Sequence, residues 1–87
     1  MTQEQQLFHH KLQERLGFLG ELSIVRHGFG RFGEVSVCLQ KDNQTVLARY
    51  SQQEVYQIMR SENQLKDDFM ERIYWDFMKN FQKTNQP

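Results

Sequence analysis

Apolar residues near the start of the chain recur at the helical interval. Leu7, Phe8, Leu12 and Leu16 share one side of a wheel whose remaining positions hold Glu4, Lys11, Glu14 and Arg15. Thr2 and Gln5 have the spacing of a capping box, in which each side chain satisfies a free backbone N–H of the first turn. Gly17 follows where a left-handed C-terminal cap would fall. The pattern predicts a helix over 3–16. The period then drops to two: Leu22 and Ile24 alternate with Ser23 and Val25, and Val35, Val37 and Leu39 alternate with Glu34, Ser36 and Cys38. A third β-rich run covers 45–50. Lys41-Asp42-Asn43-Gln44 separates the second and third runs with residues that turn readily. Gly28-Phe29-Gly30-Arg31-Phe32-Gly33, between the first and second, is too rich in glycine for a strand interior. The simplest arrangement is an antiparallel meander with strands near 21–27, 34–40 and 45–50.

Ser51 and Glu54 repeat the capping-box spacing, so a second helix is expected from Gln52, with Val55, Ile58 and Met59 as its apolar stripe. Ser61 and Gln64 repeat it again, which predicts a break near 60–63 and a third helix over about 62–81. At about 100° per residue, Leu65, Phe69, Met70, Ile73, Tyr74, Phe77, Met78 and Phe81 form one broad face of that helix. An antiparallel sheet with one apolar face needs a cover, and this helix is the expected one, with Phe69, Ile73 and Phe77 set against Ile24, Val35 and Val37. Trp75 falls roughly opposite that face, among Asp68, Glu71, Arg72, Lys79 and Gln82. The expected fold is α+β in the order α-β-β-β-α-α, a single domain over 1–87 with a frayed tail over 83–87.

Composition narrows the classes. The 87 residues include 11 Lys and Arg and 11 Asp and Glu, a balance that argues against a basic nucleic-acid sleeve and against an acidic DNA mimic. Only 38% of residues are hydrophobic, but seven Phe, three Tyr and one Trp supply bulk, and each large aromatic buries about 150–250 Å². No apolar run approaches the ~18 residues of a membrane span, and no signal-peptide pattern is present. A single cysteine, Cys38, cannot form an intrachain disulfide and suits a reducing compartment. The expected location is the cytoplasm.

No catalytic constellation emerges. His9 and His10 are adjacent on a helix and point about 100° apart, and no Cys-x-x-Cys or His-x-x-x-His spacing accompanies them, so no metal is expected. In the meander His27 lies opposite Glu34, four residues from Cys38, more than ~12 Å along a strand and too far for an activated thiol. Asp67 and Asp68 diverge on their helix. After Gly28-Phe29-Gly30 a strand is expected where the dinucleotide fingerprint needs a helix, and the lysine of the phosphate-binding loops is missing. No cofactor is expected. The order helix, three strands, helix is also that of double-stranded-RNA-binding domains, but Ser51-Gln52-Gln53-Glu54 lacks their lysine cluster, and no family assignment follows.

Two surfaces remain. In the Gly28–Gly33 hairpin, Arg26, His27 and Arg31 are interleaved with Phe29 and Phe32, a composition suited to stacking on bases or to a protein contact. On the last helix, Trp75 with Arg72 and Lys79 has the composition of an interface hot spot. The expected contact residues are therefore Arg26, Phe29, Arg31, Phe32, Arg72, Trp75 and Lys79. The function expected is that of a small non-catalytic binding protein that regulates or inhibits a macromolecular partner. Protein is the first expectation for that partner and nucleic acid at the hairpin the alternative; self-association is compatible with either. Neutral domains of this size without a catalytic constellation are common among phage and mobile-element accessory proteins, including inhibitors of host defence enzymes.

Overall fold

The computed structural model describes residues 2–28 and 32–85, with side chains through Phe81. Phe29 and Arg31, two of the expected contact residues, lie outside the described residues. The elements are α1 (Gln3–Leu16), β1 (Glu21–His27), β2 (Glu34–Lys41), β3 (Gln44–Ser51), α2 (Gln52–Met59) and α3 (Asn63–Asn85), an α+β chain in the order α-β-β-β-α-α.

Local chemistry sets most boundaries. The Thr2 N–H donates to Gln5 Oε1 (3.0 Å) and the Gln5 N–H to Thr2 Oγ1 (3.2 Å), a complete capping box. At the other end of α1, Gly17 is right-handed (φ −60°, ψ −26°), not the left-handed cap expected. Glycine serves close approach there, because a Cβ would run into the carbonyl and side chain of Gln13. Ser51 Oγ accepts from the Glu54 N–H (3.4 Å), but the reciprocal arm of the expected box is missing: the Glu54 carboxylate reaches Arg72 Nη2 instead (2.6 Å). The break between α2 and α3 falls where expected, though Ser61 does not cap Gln64. Its hydroxyl donates to the Ile58 carbonyl (2.6 Å), which also accepts the Ser61 N–H (3.0 Å) at the end of α2. The helical backbone of α3 runs through Asn85, past the fraying expected from Lys83. Apolar periodicity stops at Phe81, but no residue over 82–85 breaks a helix.

The sheet is antiparallel in the order β1-β2-β3. Ile24 pairs with Val37 and Val37 with Ala48; His27 pairs with Glu34 at the hairpin end. Gly28 leaves β1 with φ +75°, a conformation L side chains avoid. Asp42 (φ 55°) turns the second hairpin, a role its short polar side chain tolerates. Alternation sends Val35, Val37, Leu39 and Val46 into the core, with Leu22, Ile24, Ala48 and Tyr50 packed at its margin.

The helices occupy one side of the sheet. Lys11 Nζ approaches Asp67 Oδ1 (3.7 Å) and Arg15 Nε approaches Glu71 Oε1 (2.7 Å), so α1 and α3 run side by side in the same direction, in step by four residues. The cover expected from α3 alone is thus shared: α3 lies against β3 and α1 against β1, while α2 packs on both helices and on β3. Phe8, Leu12 and Leu16 meet Phe69, Met70, Ile73, Phe77 and Phe81 in one buried cluster. Leu65, in the first turn of α3, is half exposed, unlike the rest of its predicted face.

Phe69 is the junction of the core. Its ring stacks on Phe8 (centroids 6.1 Å, 18°) and meets Tyr50 edge-on (5.7 Å, 85°). Phe69→Ala is expected to cost about 3–5 kcal/mol, read as loss of the cooperative thermal transition or a large drop in its midpoint. The Tyr50 hydroxyl beneath α3 is buried without a partner among the described residues. Burial, with Asp76 nearby, pushes its pKa up to about 12. Tyr50→Phe removes an unsatisfied polar group while keeping the ring, and should stabilise the fold by up to about 1 kcal/mol in denaturant titrations.

Candidate functional site

Trp75 projects from α3 with 62% of its surface exposed, and the expectation that it lies away from the core face holds. Its surroundings are ordered by a short chain of contacts. Arg15, on α1, donates through Nε and Nη2 to the two carboxylate oxygens of Glu71 (2.7 and 3.1 Å). The guanidinium carbon of Arg15 lies 3.8 Å from the centre of the Tyr74 ring. Tyr74 in turn meets Trp75 edge-on, with centroids 5.3 Å apart at 87°. A bidentate ion pair therefore fixes a cation over one aromatic ring, and that ring abuts the exposed indole. The fork from Arg15 holds the Glu71 carboxyl below the usual carboxylate range, with the Trp75 indole adding a smaller push in the same direction.

The structure brings Arg72, Trp75 and Lys79 together along the outer side of α3, three or four residues apart, all exposed. Arg72 is not a free cation: it pairs with Glu54 and lies over the Phe69 ring at 4.9 Å. Phe18 was not anticipated. It is 69% exposed just beyond the end of α1. An aromatic outside any apolar stripe, between Gly17 and Gly20, was the available signal.

Of the hairpin candidates, Arg26, His27 and Phe32 are among the described residues. Phe32 is 87% exposed and borders a shallow recess with Arg49, Tyr50 and Ser51. Arg26, however, lies on the helix side of β1, where its Nη2 donates to His9 Nε2 (2.7 Å). Adjacent strand residues face opposite ways, so Arg26 and His27 cannot serve one surface of the hairpin. Cys38, partly exposed on the open face of the sheet, pairs with Ser23 and Leu47. Among the described residues no cluster of three or more His, Cys, Asp or Glu side chains could hold a metal ion. No helix among them is long and apolar enough to cross a membrane.

Trp75 is the only tryptophan in the chain, so its emission reports this cluster directly. Its fluorescence should be red-shifted and freely quenched by acrylamide. Because the folded pKa of Glu71 is depressed, the contribution of its bridge is fully present above the ordinary carboxylate pKa and is lost as pH falls through the lower folded value. An acid titration should accordingly show a change in Trp75 emission below the usual carboxylate range, ahead of global unfolding, and Glu71→Gln should abolish that step. Compared with family models, with curated proteins and with solved structures, the chain matches none.

Proposed function

We propose that the chain is a small, non-catalytic cytoplasmic binding protein that regulates or inhibits a macromolecular partner, and that the partner is a protein gripped through Trp75. The observation that carries this reading is the preorganised Arg15–Tyr74–Trp75 array. Trp, Tyr and Arg dominate interface hot spots, because they bury large areas with few rotatable bonds. Here the rings and the cation are held before any partner arrives, so binding forfeits less side-chain entropy than it would with free rotamers. Phe18, just beyond the end of α1, is a further large aromatic exposed at the surface. The role of accessory protein to a phage or mobile element, for instance as inhibitor of a host defence enzyme, is analogy from size and neutral charge.

The alternative, nucleic-acid binding at the Gly28–Gly33 hairpin, keeps Phe32 as a stacking platform, but Arg26 faces the helices and the net charge is zero. Affinity measurements on the captured partner separate the two. For a protein partner, Trp75→Ala should weaken binding by about 2 kcal/mol or more, roughly 30-fold, with a small change in melting temperature and a weak dependence on salt. A steep salt slope with Trp75→Ala silent and Phe32→Ala severe would replace this reading with the nucleic-acid one.

A further inference from the structure

We propose that the cleft between the N-terminal ends of α1 and α2 is a binding site for a small monocarboxylate carrying an apolar, ring-sized body. The cleft has a volume of about 300 Å³, twice that of the ~150 Å³ cavity known to admit benzene. Phe8, Val35 and Val55, each nearly inaccessible in the core, form its floor, and the half-exposed ring of Tyr56 forms one wall. The remaining lining is polar and sits at the rim. An apolar interior with a few polar groups at one end is the usual build of a small-molecule site.

Arg26 supplies the recognition. It is partly buried and lines the cleft. Its side chain is bonded to His9 Nε2, and since a guanidinium only donates, His9 accepts as neutral imidazole. Burial and the Arg26 charge both hold the His9 pKa below its ordinary value, in keeping with that assignment. Arg15, also partly buried, has Glu71, and Arg72 has Glu54; Arg26 has no carboxylate at ion-pair distance among the described residues. A partly desolvated cation without a counter-ion, at the mouth of an apolar cleft, favours an anion.

Two further features act in the same sense. Gln53 stands in the first turn of α2, where a backbone N–H has no helical acceptor, and it lines the cleft. The walls are also pinned in advance. Thr2 and Gln5 are locked in their capping box, and Gln52 Nε2 donates to the carbonyls of His27, Gly28 and Glu34 (each 3.3 Å). The charge count limits the ligand: the lining holds one cation, Arg26, and one carboxylate, Glu4, so each charge on a bound anion adds to the negative balance, and a monocarboxylate adds one where a dianionic phosphate ester adds two.

The test uses the full chain, 15N-labelled, with 3-phenylpropanoate as probe and 3-phenylpropanamide as its neutral counterpart of equal size. Amide shifts are expected at Phe8, Val35, Gln53 and Val55, saturating below about 10 mM for the carboxylate, with affinity about tenfold weaker for the amide. Arg26→Gln should erase the difference by weakening the carboxylate alone, while Arg26→Lys should retain part of it. Should Arg26→Gln disperse poorly in the same spectra, the wild-type comparison and the lysine variant still decide. Equal affinity of the two probes, shifts centred away from the cleft, or no saturable shift at these residues would overturn the proposal. Because Trp75 takes no part, failure here leaves the interface reading standing, and failure of that reading leaves this site standing.

Discussion

The structure depends on how Phe69 is seated. A three-stranded sheet this small has one face to bury, and Phe69 stands where α1, α3 and β3 meet, stacked on Phe8 and edge-on to Tyr50. Once that ring is fixed, the rotation of α3 about its own axis is fixed with it. Ile73 and Phe77, at i+4 and i+8, must point into the core, where both are fully buried. Arg72, at i+3, is turned to the flank, where it lies over the Phe69 ring and meets Glu54. Trp75, at i+6, is carried to solvent. The same ring that closes the core therefore decides which side chains the protein displays.

Ion pairs contribute differently. Arg15–Glu71, Lys11–Asp67 and Arg72–Glu54 lie at or near the surface, where such pairs add little to stability. Their effect is geometric. The first two hold α1 and α3 in step, the third ties the start of α2 to α3, and Arg15 orients Tyr74 against Trp75. With 38% hydrophobic residues, the domain rests on one cluster of Phe rings and Leu, Val, Ile and Met side chains for its energy and on charged contacts for its register. Losing one ring would then matter far more than losing one bridge.

Most of the fold was legible because periodicity and capping are local. Alternation over 21–27 and 34–40, the i, i+4 series from Phe69 to Phe81, and the Thr2–Gln5 and Ser51–Glu54 spacings each describe contacts within a few residues. What escaped the sequence was set by partners far along the chain. Glu54 abandons its capping arm because Arg72, 18 residues away, offers a charge-assisted bond. Gly17 reads as a left-handed cap but is needed for the approach of Gln13. Arg26 looks like a hairpin residue, yet strand alternation delivers it to His9, 17 residues earlier. Trp75 was legible as an outlier on its wheel; the Arg15–Tyr74 support beneath it was not, since it depends on α1 and α3 running parallel. Phe18 carried no periodic signal at all.

The cleft and the aromatic surface arise from opposite packing problems. The first turn of a helix has N–H groups that only polar side chains or ligands can satisfy, so helix starts are built from residues such as Thr2, Gln5, Ser51 and Gln52. Where two such starts converge above a sheet, the short polar caps cannot fill the space that apolar side chains fill elsewhere in the layer. The floor stays apolar, because Phe8, Val35 and Val55 belong to the core, and the rim stays polar, because the caps require it. A gap of that character follows from capping two helices at one end of a two-layer fold. At the other end of α1 the balance reverses: there the chain has more aromatic surface than the layer can cover, and Phe18 and Trp75 remain outside. Underfilling at one end and overfilling at the other leave the molecule with a recess at the helix starts and with exposed aromatics, Phe18 and Trp75, elsewhere on the helical layer.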